Sequence, residues 1–74
     1  MKPDDICICS GEADEIPYAL VKANKHATET GKLMWIYSHS LMFWMTDTYP
    51  ENEIVIAKVY PGGRIELRHK LGAR

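Results

Sequence analysis

The chain predicts a single small α+β domain over residues 1–74, in the order β-α-β-β-β-β, with one helix packed on a four- to five-stranded, largely antiparallel sheet. Three observations carry that class. One stretch, roughly Glu15 to Thr30, repeats its apolar residues at helical spacing. From Lys32 onward the chain is rich in aromatic and β-branched residues punctuated by turn formers. No repeat, linker or low-complexity segment divides the 74 residues. A domain this small hides only roughly 60% of its unfolded surface, and needs good packing, a disulfide, a metal or a second copy to be stable.

Asp5 to Cys9 reads as a first strand, with Ile6 and Ile8 on one face and the thiols of Cys7 and Cys9 on the other, ended by Ser10-Gly11. An i, i+2 pair on a strand cannot close a disulfide without bending the backbone sharply. Both thiols are therefore expected to be reduced and packed beside the sheet. The helix follows. Ile16, Leu20, Ala23 and Ala27 fall at spacings of four, three and four, which places them on one side, while Lys22, Lys25 and Glu29 make the polar side. Asp14 suits the N-cap, Pro17 falls in the first turn where its missing N–H costs little, and Gly31 suits the terminator.

Four further strands are expected over residues 33–38, 41–47, 53–60 and 64–70. Their turns are Ser38-His39-Ser40, Tyr49-Pro50-Glu51-Asn52 and Pro61-Gly62-Gly63. In the last hairpin a three-residue loop sets Tyr60 opposite Arg64, Val59 opposite Ile65, Lys58 opposite Glu66 and Ala57 opposite Leu67. That register matches like with like and pairs opposite charges across the strands. One face then carries Val55, Ala57, Val59, Ile65 and Leu67, suited to lie under the helix. The other carries Ile54, Ile56, Lys58 and Tyr60 beside Arg64, Glu66, Arg68 and Lys70.

Residues 33–46 are apolar or aromatic at both alternating positions. Leu33, Trp35 and Tyr37 alternate with Met34 and Ile36, and Leu41, Phe43 and Met45 alternate with Met42 and Trp44. The expected turn puts Met34, Ile36, Met42 and Trp44 together, with their alternating twin on the opposite side. A helix about 10 Å across shields about half of a sheet face on the order of 400 Å². The second face is therefore expected to meet a partner. Its expected members are Met34, Trp35, Ile36, Met42, Phe43, Trp44, Ile56 and Tyr60, because Trp, Tyr and Met rimmed by basic residues is the composition of an interface. The expected function is a non-enzymatic protein–protein interaction module, a small regulator, adaptor or inhibitor, homodimeric through this apolar sheet surface or docking another protein on it.

The net charge of −1 is unevenly spread. Residues 1–15 carry one base against five acids, and residues 58–74 carry five bases against one acid. Such polarity suits pairing of the ends within the fold or across a symmetric dimer. The alternative from another class is single-stranded nucleic-acid binding, with Lys58, Arg64, Arg68 and Lys70 on phosphates and Tyr60 or Trp44 stacked on a base. A near-neutral chain has little long-range attraction for a polyanion, which weighs against it.

The remaining motifs carry no chemistry. Cys7-Ile8-Cys9, even with His39 or His69, lacks the ligand spacing of zinc sites. Ser38-His39-Ser40 sets hydroxyls beside an imidazole with no evident orienting carboxylate. Gly62-Gly63 lacks the spacing of a phosphate loop. No catalytic residue, metal or cofactor is expected. The acidic N-terminus has neither the basic start nor the apolar length of a secretory signal, and no apolar run approaches the ~20 residues of a membrane helix, so a cytoplasmic location is expected.

Overall fold

The computed structural model describes residues 4–68. Its strands are β1 (Ile6–Ser10), β2 (Met34–His39), β3 (Met42–Thr46), β4 (Ile54–Val59) and β5 (Ile65–Leu67), with helix α1 (Ile16–Thr30) between the first two. They form one antiparallel sheet in the order β1-β3-β2-β4-β5, an α+β fold in the expected element order. β1 pairs at an edge with β3. Because β3 lies between them and opposes both, β1 and β2 run parallel, and α1 makes the crossover.

The helix opens from a 3₁₀ turn over Ala13–Glu15, with Pro17 in its first turn. Asp14 lies inside that 3₁₀ turn, and the N-cap is Glu15, which makes no side-chain capping bond. At the other end Gly31 adopts φ 71° and returns its N–H to the Ala27 carbonyl at 2.8 Å, a left-handed terminator that glycine reaches without a Cβ penalty. The buried stripe is Ile16, Ala19, Ala23 and Ala27, with Leu20 half-buried at its flank. Three alanines in line let the helix lie close on the sheet. Beneath them the core is built from Met34, Ile36, Phe43, Met45, Ile56, Ala57 and Val59.

Three local features decide which side chains face α1, and each departs from the sequence expectation. The first is the β2–β3 turn. His39 pairs with Met42, and Ser40 and Leu41 bridge the strands at φ 54° and 63°, the left-handed pair of a type I′ turn, whose twist suits a tight hairpin. An odd shift in register exchanges the two faces of a strand. Phe43 and Met45, in place of Met42 and Trp44, therefore join Met34 and Ile36 under the helix. The second is a bulge in β4, where pairing steps from Ile36–Ala57 to Tyr37–Val55 and leaves Ile56 as the extra residue. Ile56 turns inward with Ala57, Ile54 follows on the helix side, and Val55 passes to the other face.

The third is a bulge in β1, where Cys7 pairs with Trp44 and Cys9 with Phe43. The thiols consequently lie on opposite faces: both are free, Cys7 is exposed, and Cys9 is half-buried against the core. Burial, with Glu15 and Cys7 adding to it, pushes the Cys9 thiol above its ordinary value. The last hairpin keeps the expected register, Val59–Ile65, Lys58–Glu66 and Ala57–Leu67, and the Tyr60 N–H donates to the Arg64 carbonyl at 2.8 Å. Residues 69–70 of the expected last strand lie outside the described residues.

Candidate binding surface

Alternation along the strands places Trp35, Tyr37 and His39 of β2, Met42 and Trp44 of β3, Cys7 of β1 and Lys58 of β4 on the face away from α1. Tyr60, Arg64, Glu66 and Arg68 continue that face across the last hairpin. No described helix lies over it, yet its own side chains cover part of it. Tyr37 is fully buried, and its hydroxyl donates to Asp5 Oδ2 at 2.7 Å. Burial first, and that hydrogen bond second, raise the Tyr37 phenol well above its ordinary value, so it stays a neutral donor at physiological pH. Half-buried Trp44 donates its Nε1–H to the His39 carbonyl at 3.1 Å, and the His39 Nδ1–H donates to Glu53 Oε1 at 3.0 Å.

Trp35 centres the other half of the face. Tyr49 meets its ring edge-on at 4.9 Å and 87°. Lys58 Nζ lies 5.1 Å and Arg68 Cζ 5.8 Å from the Trp35 ring centroid. Lys58 Nζ is also 5.2 Å from the Tyr60 ring, which Arg64 Cζ approaches to 4.6 Å. Arg64 Nη2 in turn donates to Glu66 Oε2 at 2.7 Å. A cation within about 6 Å of a ring is drawn to its π-face by about 0.5–1 kcal/mol at exposed sites. Three cations are thus held on half-exposed aromatic rings, with a carboxylate among them.

Of the residues expected at the binding surface, Trp35, Met42, Trp44 and Tyr60 lie on this open face. Met34, Ile36, Phe43 and Ile56 do not: each is between 0% and 6% exposed in the core under α1, turned inward by the short hairpin turn and the β4 bulge. Lys58, Arg64 and Arg68, expected as phosphate contacts, come together beside Trp35 and Tyr60, while Lys70 lies outside the described residues. Tyr49, Asp5 and Glu53 were not singled out by the sequence, because Tyr49 falls in a turn and Asp5 and Glu53 stand at strand ends, where alternation says nothing of their partners. The aromatic ring of Tyr49 in an otherwise polar turn is the one signal that pointed to it.

His39 is the last residue of β2, held by Glu53, so the orienting carboxylate that the sequence did not reveal is present. A nucleophile must share a side with its base, and Ser38, paired with Phe43 and Ile54, faces the helix side, opposite His39. Among the described residues no group of three His, Cys, Asp or Glu is placed to hold a metal, and no helix is long and apolar enough to cross a membrane. The chain matches no protein-family model, no curated protein and no solved structure.

Proposed function

We propose that this chain is a non-enzymatic protein-binding module, a small regulator, adaptor or inhibitor, whose docking surface is the open face of the sheet centred on Trp35. The observation that carries the reading is the aromatic patch with its cations. Trp35, Tyr49 and Tyr60 stand together with Lys58, Arg64 and Arg68 between 4.6 and 5.8 Å from the rings, and Trp, Tyr and Arg are the side chains that dominate binding energy at interfaces. Three bases against Glu66 define the partner's chemistry: a protein surface that offers carboxylates beside apolar groups.

The test is affinity capture from nuclease-treated lysate, run in parallel with the wild type, Trp35→Ala and a control substituted on the outer side of the helix, Lys25→Ala. A protein retained by the wild type and the control but lost by Trp35→Ala supports the reading. Equal retention by all three, or by none, rejects it. The same patch favours one second reading, because rings flanked by cations also stack and neutralise single-stranded nucleic acid. Salt-sensitive quenching of tryptophan fluorescence by an oligonucleotide, abolished in an Arg64→Ala, Arg68→Ala double variant, would select that reading.

A further inference from the structure

Three of the exposed apolar side chains lie on β5 or on the helix beside it. Val21 of α1 is 66% exposed, and Ile65 and Leu67 of β5 are 37% and 62% exposed. Val21 and Ile65 line a largely apolar groove between α1 and β5 with Pro17, Leu20 and Gly63, and Asn24 and Lys25 are its polar members. β5 is also the last strand of the described sheet. The Tyr60 N–H donates to the Arg64 carbonyl, and the Arg68 N–H to the Ile56 carbonyl, both at 2.8 Å. Arg64, Glu66 and Arg68 therefore turn their main-chain groups toward β4, and by alternation Ile65 and Leu67 turn theirs outward. A strand edge with outward main-chain groups beside an apolar groove is built to accept another strand.

We propose that the added strand is β5 of a second copy of this chain, paired antiparallel about a two-fold axis at Ile65 and joining two sheets into one of ten strands. Charge complementarity supports this occupant and disfavours the neighbouring register centred on Glu66. Arg64, Glu66 and Arg68 alternate along the open-face side of β5. An axis at Ile65 sets Arg64 opposite Glu66 of the partner subunit, and Glu66 opposite Arg64 of the partner subunit, closing the existing Arg64–Glu66 pair into a ring of four charges. An axis at Glu66 would instead set Glu66 against Glu66 of the partner subunit, and like charges directly opposite destabilise a ladder. The axis at Ile65 also brings the two grooves edge to edge, so that Val21 and Ile65 of each copy cover those of the other. This edge shares Arg64 and Glu66 with the rim of the Trp35 face, but the pairing of β5 main chains does not depend on what docks on that face.

The test is sedimentation velocity of the full chain over a dilution series, in reductant so that exposed Cys7 forms no cross-link. The wild type is expected to reach twice the 8.5 kDa chain mass. R64E and E66R each place like charges across the axis, and each is expected to weaken association roughly tenfold. Both side chains are on the surface, at 69% and 37% exposure, and circular dichroism checks that each variant is folded. Mixed in equal amounts, the two variants are expected to regain the dimer, because every 64–66 pair across the axis is then between opposite charges although neither chain keeps its internal pair. A wild type that stays monomeric at every concentration overturns the proposal. So does a dimer whose mass responds neither to the substitutions nor to mixing.

Discussion

Leu41 occupies the tip of the β2–β3 hairpin at φ 63°, beside Ser40 at 54°. The left-handed region costs an L residue roughly 1–2 kcal/mol. With 87% of Leu41 exposed, its side chain offsets little of that, about 0.3 kcal/mol from the small part of full leucine burial it achieves. Glycine removes the Cβ cost but costs about 0.5–1 kcal/mol in added freedom of the unfolded chain. The net gain from Leu41→Gly is about 0.5 kcal/mol. Adding Ser40→Asn completes the Asn-Gly pair that type I′ turns favour, for about 1 kcal/mol in all. The main-chain bond from the Gly11 N–H to the Leu41 carbonyl, 2.9 Å, needs no side chain and is kept. In a domain this size that gain raises Tm by roughly 4–8 °C, read by thermal unfolding followed through far-ultraviolet circular dichroism. Leu41→Ala is the control. It keeps the Cβ and is expected to give no gain. If alanine stabilises as much as the Asn-Gly pair, relief of exposed apolar surface is responsible and the backbone reasoning fails. If the pair lowers Tm, the leucine side chain does more at the tip than its exposure indicates.

Two further outcomes follow from burial. Tyr37→Phe removes a hydrogen bond to a carboxylate, which is expected to cost about 1.5–3 kcal/mol at neutral pH in urea unfolding. The Tyr37 phenol is raised in the fold relative to an ordinary value of about 10. Its contribution is therefore whole below about pH 10 and is lost as pH rises toward the folded value, so the gap between wild type and variant is expected to narrow on the alkaline side. A gap that stays constant from pH 8 to pH 11 would contradict the assignment. Ala23→Leu places a branched side chain at a position with no exposure, between helix and sheet. Overpacking is expected to cost about 1–3 kcal/mol by urea unfolding, and a neutral result would mean the seam has room that the alanine stripe conceals.

The helix was legible because its signal is local. Ile16, Ala23 and Ala27 announce one side of a helix within its own turns, and Gly31 ends it through its own backbone. The last hairpin was legible because loop length, apolar pairing and the Lys58–Glu66 charge pair all choose one register. The two-residue turn at Ser40-Leu41 was not, because leucine is a poor left-handed residue and gives no turn signal of its own. Nor were the bulges at Ile8 and Ile56, which lack the glycine that often marks such sites. At the β4 bulge the local conformation is set by what it packs. Bulging at Ile56 buries an isoleucine that an unbroken β4 would put beside Lys58 on the open face. The sequence therefore told which strands are apolar on both sides, and left undecided which of the two sides α1 would take. That is why Met34, Ile36, Phe43 and Ile56 were expected on the surface while Tyr49 was missed.

With two apolar sheet faces and one described helix, the domain meets its burial problem by different means on each side. Under α1 the solution is small residues that let the helix approach. On the open face the solution is long residues: Lys58, Arg64 and Arg68 lay their cationic ends over the rings of Trp35 and Tyr60. Such a cover is removable, since each cation lies on its ring for about 0.5–1 kcal/mol, less than a carboxylate with an apolar neighbour offers in its place. Pairing through β5 would multiply the effect. Five inter-strand spacings of about 4.8 Å set the two Trp35 rings about 24 Å apart across one continuous face. A partner that presents two acidic sites at that span would bind both copies at once, with the second contact made at the high effective concentration of an intramolecular step.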